Sequence, residues 1–147
     1  MFLSELLSYA TRHEQANGAL YLFIQDSIEW LDHAKGAIAN FHIVFMIQLS
    51  FHLGFMPNIE SGMSGDYFDL VDGCFAAHVP SHVHYLNKED SMRLVSLFRL
   101  DYKTMHLYTM SRIERNRCVE VILEYYKLHL PDFPEMKSFS VLQELFA

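Results

Sequence analysis

The sequence has little of what small secreted or metal-stabilised domains depend on. Its 147 residues include only two cysteines, Cys74 and Cys118, which are too few for a disulfide framework and lack the paired spacing of a zinc ribbon. Polar residues interrupt the longest apolar run, 41–55, so it falls short of the ~20 residues that a bilayer span requires. The first residues lack a basic leader and a small-residue cleavage site. We therefore expect one cytosolic domain with reduced thiols.

Positive charge is scarce in the first part of the chain. Residues 1–87 contain two basic and nine acidic side chains, whereas residues 88–147 contain nine of each, for a net charge of -7. This balance excludes a uniformly cationic protein and restricts any phosphate-facing surface to a local patch in the second part of the chain. The basic candidates for such a patch are Arg93, Arg99, Lys103, Arg112, Arg115, Arg117, Lys127 and Lys137.

Proline and glycine are concentrated in the middle of the chain, between two regions of helical periodicity. Apolar residues at helical spacing predict helices on both sides of this segment, and the turn residues within it favour a short hairpin. We predict a mainly α fold with a single domain over residues 1–147. The expected architecture is a bundle of about six helices with a small β-hairpin insert near residues 67–78. The predicted helical segments are 2–12, 20–31 after a break at Asn17 and Gly18, 38–55, a helix from 88, 112–130 and 138–146.

Local signals predict where several helices begin and end. Asn87 is placed to cap the helix that starts near residue 88. Ser111 and Glu114 fit the capping-box pattern, in which each side chain accepts a hydrogen bond from an otherwise unpaired backbone N–H. Gly54 is expected to end the third helix and Pro131 the long helix after Ser111. Glu114 is therefore interpreted as structural.

Five segments, in this order along the chain, resemble the helical C-terminal domain of the RecO family of bacterial recombination mediators. They are Leu3–Leu7 (LSELL), Phe41–Pro57 (FHI to LGFMP), Tyr67–Phe75 (YFDLVDGCF), Glu124–Leu130 (EYYKLHL) and Met136–Leu142 (MKSFSVL). The resemblance implies a non-catalytic module of DNA repair and recombination in the DNA damage response. It would help load recombinase onto coated single-stranded DNA in the bacterial cytoplasm, at the nucleoid. The implied partners are DNA, RecR and the single-stranded-DNA-binding protein.

The chain departs from the family pattern at two points. RecO proteins begin with an OB-type domain, and no such segment precedes the first helix here, so the sequence is either a part of a longer protein or a form without this domain. Many relatives also hold zinc through four cysteines near the hairpin, and residues 58–66 contain none. The remaining zinc candidates have poor ligand spacing, so we interpret them as a hydrogen-bonded or solvated cluster and expect no metal or other cofactor. These candidates are Cys74, His78, His82 and His84.

Nucleic-acid contact is predicted for the basic residues of the second part of the chain, since phosphate neutralisation supplies most sequence-independent affinity. An alternative is that Arg117 with Glu120 and Lys127 with Glu124 form ordinary surface ion pairs at helical spacing. The predicted nucleic-acid-binding residues are Arg99, Arg112, Arg115, Arg117, Lys127 and Lys137.

The family's helical domain also receives the acidic, phenylalanine-ending tail of the single-stranded-DNA-binding protein. Phe41, Phe45 and Leu49 are the candidates for an apolar pocket that takes the terminal ring. The alternative is that these three side chains belong to the core, because Ala39 and Asn40 replace the arginines that some relatives place ahead of this helix.

Catalysis has little support in the sequence, which contains no Gly-rich phosphate loop, nucleophile elbow or paired metal-ligand motif. A rival to the repair role is a purely structural helical domain that packs against the absent OB domain. Exposed aromatic side chains near Phe2 and Tyr9 would favour this rival, and a contiguous positive patch around Arg112 would favour DNA contact. An enzyme would instead show a polar pocket with perturbed carboxylates.

Overall fold

A computed structural model of the chain describes residues 2–12, 14, 17–60 and 67–145. They include six α-helices, three short strands and a 3-10 helix at Met105–Leu107. The helices are α1 Phe2–Ala10, α2 Gly18–Asp32, α3 Phe41–Leu53, α4 Lys88–Phe98, α5 Arg112–His129 and α6 Phe139–Leu145; the strands are β1 Tyr67–Asp69, β2 Cys74–Ala76 and β3 Tyr85–Leu86. The prediction of a mainly helical fold of about six helices with a small hairpin is confirmed.

Helix α3 forms the centre of the bundle. Its sequence is apolar on nearly all sides, and eight of its 13 residues are buried, including Phe41, Phe45 and Leu49. Such a helix is stable only when other elements surround it. Helix α2 packs along it through stacked rings, with Phe23 on Phe45 at 5.3 Å and Trp30 on Phe41 at 5.9 Å between centroids. The core is therefore built around α3, with α2 on one side.

The helix starts follow the local signals in the sequence. The side chains of Asn17, Asn87 and Ser111 each accept a hydrogen bond from a backbone N–H in the first turn of α2, α4 and α5 respectively. Each bond satisfies one of the donors that a helix start leaves unpaired. Gly54 ends α3 in a left-handed conformation at φ 88°, and α5 ends at His129, two residues before Pro131. The boundaries predicted from Asn87, Ser111, Gly54 and Pro131 are confirmed, whereas α2 starts at Gly18, two residues earlier than predicted.

The β insert is a three-stranded antiparallel sheet in the order β2-β1-β3. The predicted hairpin pairs Phe68 with Phe75, and Asp69 organises its turn by accepting hydrogen bonds from the backbone N–H groups of residues 71 and 72. Strand β3 was not predicted, because two residues carry no alternation. It pairs Leu86 with Phe68 and leads directly into Asn87, so the sheet is joined to the start of α4.

Some predicted boundaries were wrong by a few residues. Helix α3 starts at Phe41 rather than at residue 38, because residues 38–41 form a turn in which the Phe41 N–H donates to the Ile38 carbonyl at 3.0 Å. Helix α1 ends at Ala10, two residues short of the predicted end. The predicted end of α6, Phe146, lies outside the described residues. Among those that are described, no helix is long and apolar enough to cross a membrane.

Candidate nucleic-acid interface

Helix α5 carries the candidate arginines and connects the two apolar clusters of the protein. Val119, Ile122 and Tyr126 belong to the main core around α3, whereas Val121 and Tyr125 pack with the sheet and α4. Two faces of one 18-residue helix are thus buried against different elements. This leaves the N-terminus and one narrow outward stripe for polar contacts.

Arg115 points inward to a polar joint between α3 and α5. Its Nε donates to Asn40 Oδ1 at 3.1 Å, and a terminal nitrogen donates to the carbonyl of Met110 at 2.9 Å. The buried Asn40 amide in turn donates to the carbonyls of Met105 and Tyr108, both at 2.9 Å. Buried backbone carbonyls need such partners, because leaving one unpaired costs about 1–3 kcal/mol. Arg115 therefore has a structural role.

Asn40 was missed as a key residue in the sequence reasoning. It was noted only as the replacement for an arginine ahead of α3, and nothing local signals its contacts with residues 65 to 75 positions away. The hint that was available is an asparagine directly before a wholly apolar helix, where a polar side chain is often a cap. The structure shows no cap bond from it, and its side chain serves the joint with Arg115 instead.

Two further predicted DNA contacts are paired with carboxylates. Arg117 lies 3.4 Å from Asp90 of α4 and 3.9 Å from Glu120, which confirms the predicted pair with Glu120. Lys127 pairs with Glu135, so the predicted pair with Glu124 was wrong. Pro131 ends the helix and the chain turns back, which brings residue 135 to Lys127. These carboxylates offset the charge that Arg117 and Lys127 can offer to a phosphate.

The side chains of the other three predicted cations are exposed and form no ion pair among the described residues, although the backbone N–H of Lys137 donates to the Glu5 carboxylate. Arg112 is the first residue of α5 and donates through Nε to the backbone carbonyl of Gln143 at 3.0 Å, a neutral partner that does not offset its charge. A cation at a helix N-terminus is disfavoured by the helix dipole, so helix stability does not explain it. Arg99 follows the last turn of α4, and Lys137 lies in the segment before α6.

The six cations do not form one patch. Arg112 and Lys127 lie 15 residues apart on the same helix, which places their Cα atoms about 22 Å from each other at 1.5 Å per residue. Arg115 between them is turned into the joint, and Arg117 faces Asp90 on α4. The structure thus separates an exposed set, Arg99, Arg112 and Lys137, from a paired set, Arg115, Arg117 and Lys127.

The histidines near the sheet have partners other than a metal. His82 lies with Nε2 3.1 Å from Asp69 Oδ2 and accepts the His84 backbone N–H on Nδ1 at 3.0 Å, so both ring nitrogens are occupied. His84 Nδ1 lies 2.8 Å from Glu124 Oε1 of α5. His78 is exposed, and Cys74 is half-buried. In the described part of the chain, no three His, Cys, Asp or Glu side chains are grouped to hold a metal ion.

These histidine contacts tie the sheet to the long helix. Burial acts to raise the pKa of Asp69, but hydrogen bonds from the backbone N–H of Asp72, from His82 and from the N–H of Val71 lower that pKa below its ordinary value. The Asp69 carboxylate is therefore held charged beside His82. Two hydrogen bonds join the sheet region to α5: His84 bonds to Glu124, and His129 Nε2 bonds to the Leu70 carbonyl at 2.8 Å. These bonds fix the position of the sheet on α5.

The candidate pocket for an acidic tail is filled by the protein itself. Phe41, Phe45 and Leu49 each have 0% exposed surface and pack in the main core. In this conformation they have no surface to offer a partner. Binding through these three residues stays a prediction, and it would require the bundle to open.

The aromatic side chains of α1 are also covered by the chain. Phe2 is buried against His42, and Tyr9 packs edge-on against the ring of Phe133 at 6.2 Å while Arg12 lies over its face at 5.0 Å. The exposed aromatic surface that would favour packing of an OB domain at this place is therefore not found at Phe2 or Tyr9.

Burial holds the Cys118 thiol and the Tyr126 phenol of the main core in their neutral forms. Burial raises the pKa of the Cys118 thiol to about 11, and it raises that of Tyr126, which donates to the Met46 carbonyl at 2.6 Å, well above its ordinary value. A thiol with this pKa is a poor nucleophile. These groups therefore act in packing and in hydrogen bonding to the backbone.

The chain is similar in sequence to known proteins over nearly its whole length. Residues 1–138 match the family described as "Recombination protein O C terminal". The chain is 47% identical over 147 residues to the DNA repair protein RecO of Phocaeicola vulgatus, covering 100% of the chain and 61% of that protein. It is 48% identical to RecO of Bacteroides fragilis (99% and 61%) and 31% identical to RecO of Flavobacterium johnsoniae (100% and 60%). The chain thus spans about three fifths of these relatives, and no solved structure gives a significant match.

Proposed function

Since the chain belongs to the RecO family, we propose that it is a non-catalytic module of DNA repair and recombination that acts by binding. The single observation that carries the proposal is the match of residues 1–138 to the C-terminal family, which covers nearly the whole chain. The geometry supports a binding role, since the ionisable side chains around α5 are used for ion pairs and joints between elements.

DNA contact is assigned first to the exposed cations Arg99, Arg112 and Lys137. Arg112 lies at the N-terminus of α5, where the helix dipole and the backbone N–H groups also favour an anion. A phosphate near this point meets a guanidinium that has no ion pair with any side chain the structure describes. Arg117 and Lys127 contribute less, because a phosphate must compete with Asp90 and Glu135 for them.

The protein partners of the proposed role are RecR and the single-stranded-DNA-binding protein. Binding of the acidic tail of the single-stranded-DNA-binding protein through Phe41, Phe45 and Leu49 is the weaker part of this proposal, because those side chains are enclosed in the core. A pull-down of the 147-residue chain with each purified partner tests it. If neither protein is retained, the partner assignment is wrong.

The DNA assignment is tested by fluorescence anisotropy with a labelled single-stranded oligonucleotide over a salt series. The test variant is Arg99→Gln/Arg112→Gln/Lys137→Gln, and the control Lys35→Gln/Arg117→Gln/Lys127→Gln changes the net charge equally. For single strands the salt slope falls by about 0.7 for each phosphate that is no longer neutralised, so the test variant is expected to reduce the slope by about 2 units. Equal reductions for both variants would refute the assignment to the exposed set.

A further inference from the structure

Helix α2 presents an apolar face to solvent. Only Leu20 and Ser27 of its 15 residues are buried. On the opposite side Tyr21, Leu22 and Ile28 keep 53%, 58% and 41% of their surface exposed. At 100° per residue these three side chains lie within about 120° of the helix circumference. They form one face, which we call the outer face of α2.

The outer face is also acidic. Asp26, Glu29 and Asp32 are exposed and interleave with the three apolar side chains. Helix α2 contains no lysine or arginine, and none of these carboxylates has an ion-pair partner among the residues the structure describes. Carboxylates elsewhere, such as Asp90 and Glu135, are paired with cations. The negative charge of α2 is therefore uncompensated within the described fold.

The fold does not account for this composition. Helix α2 is anchored by its other side, where Phe23 stacks on Phe45 and on His52, with centroids 5.3 Å and 4.6 Å apart, and Trp30 stacks on Phe41. The outer face takes no part in these contacts. Its apolar side chains remain in water and therefore contribute little burial free energy to the fold. Apolar surface grouped on one face indicates an interaction site.

We propose that the outer face of α2 docks a basic amphipathic helix of a protein partner. Apolar side chains of that helix would cover Tyr21, Leu22 and Ile28, and its lysines and arginines would pair with the flanking carboxylates. A helix of 15 residues is about 22 Å long, so a partner helix of four turns covers the face. Nucleic acid is not the occupant, because phosphates are repelled by three uncompensated carboxylates. The surface uses none of the cations assigned to DNA, so the inference stands apart from that assignment.

The test uses the 147-residue chain and a fluorescein-labelled peptide with lysine and leucine at helical spacing. Fluorescence anisotropy is measured at low and moderate salt, because an interface of this size is small and its affinity modest. A matched peptide with glutamate in place of lysine is the ligand control. The charge variant is Asp26→Asn/Glu29→Gln/Asp32→Asn, and its control, Glu60→Gln/Asp72→Asn/Glu89→Gln, changes the net charge equally on other elements. The apolar variant is Leu22→Gln/Ile28→Gln, whose side chains are exposed, and circular dichroism verifies that it folds.

Each measurement has a result that supports or overturns the proposal. The lysine peptide is expected to bind saturably, with about tenfold weaker binding to the charge variant, as three exposed ion pairs imply. The apolar variant is expected to weaken binding by a similar factor, most clearly at moderate salt. The control variant should stay within about twofold. Equal weakening by the control, no effect of the apolar variant, or no saturable binding would each overturn the proposal. Sedimentation that shows a dimer dissociating in the apolar variant would also overturn it, since the occupant would be a second copy.

Discussion

A pH dependence of stability is expected from His42, whose ring lies between Phe2 and Phe41 at the start of α3. The two ring contacts are edge-on at 5.6 Å and 5.9 Å, and its Nδ1 is buried with no hydrogen-bond partner among the described residues. Burial lowers the pKa of His42 from 6.5 to about 4. The folded protein therefore resists a proton that the unfolded chain accepts.

The sign and size of the effect follow from this difference. Between pH 6.5 and about 4 the unfolded state binds more protons than the folded state, so the free energy of unfolding falls as the pH falls. The contribution of neutral His42 to the free energy of unfolding is fully present above pH 6.5 and declines below that pH. A shift of about 2.5 pKa units corresponds to about 3 kcal/mol at most, and about 2 kcal/mol of it is lost by pH 5.

The assay compares urea unfolding of the wild-type chain and of His42→Phe at pH 7.5 and pH 5. Phenylalanine keeps a flat ring between Phe2 and Phe41 but cannot titrate, so the drop in unfolding free energy should be smaller by about 2 kcal/mol in the variant. Other groups titrate equally in both proteins and cancel in the comparison. His42→Gln, which is polar and does not titrate in this range, should behave like the phenylalanine variant. The reasoning is refuted if wild type and both variants lose the same free energy between the two pH values.

Three further predictions concern single contacts, each measured by urea unfolding at pH 7.5. Asn40→Ala should destabilise the fold by about 3 kcal/mol, because two carbonyls lose a donor and Arg115 loses one of its acceptors; a destabilisation below about 1 kcal/mol would contradict the proposed joint. Gly73→Ala should lower the free energy of unfolding by at least about 1 kcal/mol, since Gly73 has φ 68° and a Cβ there would lie 2.9 Å from the Tyr125 hydroxyl. Gly18→Ala serves as the control, because a Cβ at Gly18 meets no atom within 4 Å. Ser111→Ala should cost about 1 kcal/mol through removal of the N-cap, and Ser111→Asp should restore it.

Features that depend on interactions between neighbouring residues could be predicted from the sequence. The caps at Asn87 and Ser111 depend on a side chain and a backbone N–H three residues away, so the pattern alone was sufficient. Gly54 and Pro131 act within their own turns in the same way. The all-round apolar character of α3 indicated its enclosure. Helix content and most boundaries were predictable for this reason.

Contacts between distant segments were not predictable. Lys127 was expected to pair with Glu124 at helical spacing, but Glu124 bonds to His84 of the sheet and the lysine reaches Glu135. The joint between Arg115 and Asn40 links residues 75 positions apart. Helical spacing predicts which side chains share a face but not which element covers that face. The six cations were therefore assigned one role although they divide into two sets.

The joint at Asn40 has a consequence for how mutations in this domain are read. Arg115 is a guanidinium that the protein requires even when no DNA is near, because two helices and a loop meet on its hydrogen bonds. In an assay of the proposed DNA binding, an alanine at this position would lower the apparent affinity by reducing the fraction of folded molecules, without removing a contact to phosphate. Binding data for Arg115 variants therefore need correction for the unfolded population, and the correction should be smaller for Arg112, which is exposed and makes one bond to the Gln143 carbonyl.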